Sequence, residues 1–182
     1  GVNVGSGWSA MTGNVNSLTF GTSAETTTYN FELGLSGNRP FVSAGSGAET
    51  PGTPNCQFGT SCTVTITTGS AIGEHLGRGT YSSSLTIYWS LAISNGANGY
   101  CAPASGTGTL VAANGDTLNQ SEVGTVCEVG TSSLTAPHTF AGTYVNIGGT
   151  GRFANAIGEG MITGGDDGSG NAYYNESGSI GY

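Results

Sequence analysis

The densest group of chemically capable side chains in this chain is Glu74-His75-Leu76-Gly77-Arg78. Read as an extended segment, it points Glu74 and Arg78 to one face and His75 to the other. A glutamate and an arginine on one face can hold a polar ligand group or pair with each other at the rim of a sheet. A histidine titrates near neutral pH and acts as acid or base when it lies in a pocket. Glu74, His75 and Arg78 are therefore the candidate catalytic residues. The competing reading is an ion pair beside a histidine that hydrogen-bonds a turn. His138 follows Pro137 and reads as a loop residue at the start of a strand. Gly168-Ser169-Gly170 lacks the strand-to-helix setting of a serine nucleophile, and Gly149-Thr150-Gly151-Arg152 lacks the lysine of a phosphate loop. Asp166 to Asn171 offers oxygen ligands without the closing glutamate of a calcium loop, so it reads as a solvated turn. No metal and no cofactor is expected. Trp89, Phe140 and Tyr144 are the candidates to line an apolar ligand site, although inward aromatics also simply fill a small barrel.

The elements that position these residues read as strands. From Phe140 to Ile147, Ala141, Thr143, Val145 and Ile147 alternate with Phe140, Tyr144 and Asn146, the period of two that separates the faces of a strand. Gly148, Gly149 and Gly151 then interrupt the pattern, Arg152-Phe153-Ala154-Asn155-Ala156 allows one helical turn, and Ile157 to Thr163 resumes as a strand. The whole reads as a corner that folds Phe153 back over the end of a sheet or barrel. Thr28 to Leu35 and the run from Cys62 also alternate. The longest strand expected is Tyr81 to Ile93, with Leu85, Ile87, Trp89, Leu91 and Ile93 on one face. Asn95 to Gly99 and Asp166 to Gly170 supply turns into Tyr100–Val111 and Tyr173–Ile180. Asn38 to Asn55, with Pro40, Pro51 and Pro54, reads as a loop. Residues 1 to 21 read as an extra strand or an arm able to pair with a neighbouring molecule. No segment has the spacing and caps of a long helix. The fold expected is all-β, an antiparallel meander that closes into a barrel and so removes its exposed edges. At 182 residues the chain is one domain, 1 to 182, by length.

Cysteine placement follows from the turns. Asn114-Gly115 between two strands signals a hairpin. A two-residue turn there leaves Cys101 and Cys127 one residue out of register, which one β-bulge corrects. Cys56 and Cys62 bracket a short loop. These two disulfides imply an extracytoplasmic protein, extracellular or at the cell surface; no CxxC pair points to zinc. No stretch at Gly1 has the organisation of a secretion signal, so any such signal has been removed or was never there. The chain carries a net charge of −8 with three arginines, Arg39, Arg78 and Arg152, and no lysine. It therefore has no patch able to neutralise phosphates, which excludes nucleic acid and disfavours anionic membranes. No apolar run reaches the roughly 18 residues of a membrane helix, so no membrane insertion is expected. Asn119-Gln120-Ser121 and Asn175-Glu176-Ser177 are glycosylation sequons.

Gly148-Gly149-Thr150-Gly151-Arg152-Phe153 followed by Ala156-x-Gly158 resembles the late corner of the dirigent and allene oxide cyclase family. It is similar, too, to secreted bacterial proteins of unassigned activity that join such a GGTGRF corner to an upstream HLG segment, here His75-Leu76-Gly77. The resemblance covers roughly Gly69 to Tyr182 and implies a barrel of about eight antiparallel strands. Proteins of this kind bind an apolar substrate inside the barrel and steer a ring closure or coupling, but their functional acids and arginines do not match this chain residue by residue. The function expected first is a secreted, non-catalytic barrel serving as an extracellular surface, matrix or filament component. It rests on the Gly/Ser/Thr/Asn-rich, lysine-free composition, the disulfides and the lack of an assembled catalytic group. The alternatives are a module that binds a small apolar ligand and an isomerase or cyclase of the allene oxide cyclase kind.

Overall fold

The computed structural model describes residues 17–21, 26–30, 38–51, 60–130 and 136–182. The chain forms two compact units, Gly1–Ser36 and Gly37–Tyr182. In the first, strands β1 (Ser17–Gly21) and β2 (Thr26–Asn30) pair as an antiparallel hairpin. Of the strand expected from Thr28 to Leu35, Thr28 to Asn30 fall in β2, and residues 1–16 and 31–37 lie outside the described residues.

The second unit contains β3 (Arg39–Pro51), β4 (Ser61–Gly73), β5 (Gly77–Tyr88), β6 (Ile93–Ser94), β7 (Tyr100–Val111), β8 (Thr117–Glu128), β9 (His138–Gly149), β10 (Glu159–Asp166) and β11 (Asn171–Ile180). β3, β4 and β5 pair antiparallel in succession, as do β6 through β11, while β5 pairs with β7 and β11 with β3. The result is a closed barrel of eight strands to which the two-residue β6 is an appendage. One end, which we call the corner end, carries the β4–β5 and β7–β8 turns and the β9–β10 corner. The opposite end is the mouth.

Four sequence expectations are corrected here. The segment read as a loop, Asn38 to Asn55, contains β3, the strand that closes the barrel. Its inward positions after Phe41 are Ser43, Gly45, Gly47 and Glu49, so no hydrophobic alternation marks it, and its prolines stand at the strand ends where a missing N–H costs little. The long strand from Tyr81 stops at Tyr88; Trp89–Leu91 turns as a 3-10 helix, leaving Leu91 and Ile93 exposed. The Asn114-Gly115 turn belongs to a longer loop, Ala112 to Asp116, closed by Ala112 N–H to Asp116 O at 2.8 Å. Gly115 takes φ 88° in it. That added length puts Cys101 directly opposite Cys127, with no bulge between β7 and β8. The Glu74 segment is a tight turn rather than a strand, and His75 sits there at φ 64°.

The Cys101–Cys127 disulfide is present, with Cα atoms 4.0 Å apart. Cys62 is buried and disulfide-bonded; its expected partner, Cys56, lies outside the described residues. The helical turn of the corner is Gly151–Phe153, and β10 starts at Glu159 after an isolated bridge from Ile157 to Gly181. Phe153 is fully buried and meets Tyr182 edge-on at 5.1 Å, closing the corner end.

Closing eight strands into a ring bends each of them, and the inner surface is where backbones crowd. Gly124 and Gly142 face each other across β8 and β9, and a Cβ on Gly142 would overlap the carbonyl oxygen of Val123. Gly160 and Gly178 do the same between β10 and β11, where an added Cβ on either would lie 2.7 Å from the Tyr144 hydroxyl. Gly142→Ala is expected to destabilise the barrel by about 1–3 kcal/mol, the usual range for overpacking. Denaturant unfolding measures it, and an unchanged midpoint would show that the wall yields at this point without cost.

Candidate functional site

The interior of the barrel is not uniformly apolar. Along β8, Leu118, Gln120, Glu122, Val126 and Glu128 are all buried on one face; along β9, Phe140, Tyr144 and Asn146; along β11, Ala172, Tyr174, Glu176 and Ile180. Three buried glutamates therefore face inward, Glu128 at the mouth end at 7% exposure and, further along the barrel, Glu122 and Glu176 at 3% and 2%. Ser43 Oγ donates to Glu176 Oε2 at 2.6 Å, and Gln120 Nε2 reaches both Glu176 Oε2 and Asn146 Oδ1 at 3.3 Å. The Tyr81 hydroxyl donates to Glu122 Oε1 at 3.1 Å, and its ring lies 4.1 Å from that of Tyr174. Phe41 meets Tyr144 edge-on.

This layer has no cation of its own. Arg39 begins β3, Arg78 follows the β4–β5 turn and Arg152 lies in the corner, so all three arginines stand at the corner end. A buried carboxyl with no cation lowers its energy by taking up a proton. Burial pushes Glu122 up to about 7, the Tyr81 hydrogen bond working against it and the Glu176 charge with it. Burial also raises Glu176, against the hydrogen bonds from Ser43 and Gln120. Tyr144 and Tyr174 are raised for the same first reason, burial. Gln120 Oε1, Tyr144 OH, Asn146 Nδ2, Tyr174 OH and Glu176 Oε1 are buried without a hydrogen-bond partner. A proton on Glu176 turns one acceptor in this group into a donor.

The mouth carries a second polar group. His138 Nδ1 lies 2.9 Å from Asp166 Oδ2, and Trp89 packs on the imidazole with ring centres 5.9 Å apart. Burial opposes a charge on His138, but the hydrogen bond and charge of Asp166, joined by Glu49 and Glu128, outweigh it and raise its pKa. Glu49 is raised by burial first and by Asp166 next. Glu128 Oε2 accepts the Tyr100 N–H at 3.0 Å. The neighbouring Asp167 is lowered, its Oδ2 accepting Asn171 Nδ2 and its Oδ1 the Ser169 and Asn171 N–H groups. Those oxygens close a turn. Among the described residues no three His, Cys, Asp or Glu side chains are arranged to hold a metal ion.

The candidates read from sequence do not assemble into one site. Glu74 and Arg78 are exposed on the β4–β5 hairpin and form no ion pair with each other. His75 Nε2 lies 3.1 Å from Pro40 O, and the ring meets Tyr182 edge-on at 6.0 Å. Phe140 and Tyr144 are buried within the barrel, while Trp89 packs beside His138. The sequence reading missed Glu122, Glu176, Gln120 and Asn146. A signal was available, because each alternates onto a face shared with a large apolar residue of its own strand.

The interior acids set a direction for pH dependence. Glu122 has a folded pKa above its unfolded value, so the folded state binds more protons and stability is lost as pH rises from about 4.5 through 7. A shift of that size corresponds to about 3 kcal/mol. His138, also raised, adds a loss in the same direction. Thermal unfolding between pH 4.5 and 8 should show a falling midpoint, and Glu122→Gln should flatten most of the fall. An unchanged slope in that variant would remove Glu122 as its source.

Searches of protein-family models, curated proteins and solved structures find no match to this chain.

Proposed function

We propose that this chain is a secreted, non-catalytic β-barrel that serves as an extracellular surface, matrix or filament component and associates through its outer wall. The observation that carries this reading is an apolar band on that wall. Val123 on β8 is opposite Thr143 on β9, which is opposite Met161 on β10; Met161 is opposite Ser177 on β11, which is opposite Val42 on β3. Val42, Val123, Val145, Ile147 and Met161 are each 44–59% exposed. Apolar side chains gathered on one wall of a protein favour contact with another surface.

The packing of the interior supports the same reading. A Cβ on Gly45 or Gly108 would overlap the Tyr174 ring or the Glu122 carboxylate, so barrel side chains already occupy the space these glycines leave. The Cys101–Cys127 disulfide fits an oxidising compartment. No helix among the described residues is long and apolar enough to cross a membrane. The eight barrel strands each pair on both sides and the one-sided β6 is two residues long, so assembly by strand addition would use the N-terminal hairpin.

A second reading, a ligand-binding or cyclase barrel of the dirigent and allene oxide cyclase kind, is favoured by one observation. Glu122, beside Tyr81, titrates near neutrality as an acid–base group would. Light scattering and electron microscopy of the full chain separate the two. High-order assemblies that Val123→Lys with Met161→Lys disperses, the circular dichroism remaining native, are the expected result. A monodisperse protein at millimolar concentration, carrying a small organic adduct in native mass spectra, would overturn it in favour of the second reading.

A further inference from the structure

At the corner end, the turn around His75 and the Ala112–Asp116 loop flank a shallow, open cleft of about 500 Å³, lined by Gly73, His75, Leu76, Gly77, Ala113, Asn114 and Arg152. That volume is within the range of small-molecule sites, roughly 300–1,000 Å³. Its apolar lining is the buried Leu76 with the exposed Ala113 and two glycines.

The cleft's charge contrasts with the rest of the protein. The chain carries −8, yet each of its arginines is at this end. Arg152 is 41% exposed; its Nε is 3.7 Å from Asp116 Oδ2 and its guanidinium lies 4.8 Å from the Phe153 ring centre. That separation from Asp116 is too long for a hydrogen bond, so the pair holds the arginine in place without using up its donors. Asp116 is otherwise committed: Oδ2 accepts Asn114 Nδ2 at 2.9 Å and the Arg152 N–H at 3.3 Å. Those contacts keep its carboxyl below the usual range. His75 directs Nε2 to the Pro40 carbonyl, which leaves Nδ1 as its other polar edge. The Arg78 side chain forms no ion pair among the described residues. Glu74, exposed on the same turn, is the other acid close in sequence.

We propose that this cleft binds a small amphipathic carboxylate, its acid group on Arg152 and its apolar body against Leu76 and Ala113. A guanidinium presents parallel donors that match the two oxygens of a carboxylate. One accessible arginine in a cleft that Leu76 and Ala113 also line suits a singly charged acid, and the protein's overall negative charge disfavours multiply charged anions.

Calorimetric titration of the full-length protein with benzoate and hexanoate, against benzyl alcohol and hexan-1-ol, tests this. The acids should bind at least tenfold more tightly than their neutral counterparts, with NMR shifts centred on the Leu76 and Ala113 methyl groups. Arg152→Gln should weaken the acids at least tenfold. Because that change also touches the Asp116 contact, Ala113→Glu is the independent test: it leaves Arg152 and Asp116 intact and should abolish acid binding by repulsion. The proposal is overturned if acid and alcohol bind alike, if neither binds, if Ala113→Glu binds the acids normally, or if the shifts fall elsewhere.

Discussion

Closure of the β3–β11 ladder is the constraint on which the rest of this barrel depends. That ladder runs from Asn171 opposite Ala48 to Ile180 opposite Arg39, and without it eight strands would form an open sheet with two edges. Closing the ring forces curvature, and curvature brings neighbouring backbones together on the inside. Inward glycines at 124, 142, 160 and 178 answer that crowding, since a Cβ at any of them meets the next strand. The same glycines leave gaps that large rings must fill. Tyr144 lays its hydroxyl over Gly160 and Gly178, and Tyr174 lies against Gly45. The wall and its filling are thus one solution.

The filling has electrostatic consequences. Tyrosine, glutamine, asparagine and glutamate occupy the middle of the barrel, where water cannot compensate their polarity. Hydrogen bonds between Ser43, Gln120, Asn146 and Glu176, and between Tyr81 and Glu122, meet part of that demand, and burial raises the pKa of both acids. The barrel is also polarised along its length. Glu49, Glu128, Asp166 and Asp167 gather around His138 at the mouth, whereas the arginines gather at the corner end, with Arg152 tied to Asp116. The mouth is thus the acidic end, while at the corner end the three arginines stand with Glu74, Asp116 and Glu159.

Much of the strand order was legible from alternation, because period-two patterning survives whatever surrounds it. The β9 run through Tyr144 was read on that basis, Tyr100–Val111 from the turn that precedes it, and the Gly148–Phe153 corner from its glycines. β3 was not legible. Its inward residues are small or polar, suited to the crowded polar interior of a closed barrel, and a hydrophobicity pattern cannot register them. Trp89 misled for the opposite reason: it prolongs an apolar alternation that the chain abandons at Tyr88 to turn toward the mouth.

The candidate sites divide in the same way. Glu74, His75 and Arg78 stood out because charged residues are rare here, but rarity does not bring them together. Glu122 and Glu176 were hidden, because a glutamate on a strand reads as solvent-facing until the ring closes around it. The sequence by itself determined strand character, the turns, the cysteine pair on neighbouring strands and the absence of a basic patch, all of which are local or compositional properties. Only the tertiary structure decided which face of each strand turns inward, that Val145 and Ile147 point out while Asn146 points in, and that arginines far apart in the chain share one end. Those outcomes depend on closure, which is a relation between the first and last strands of the barrel and is written in neither alone.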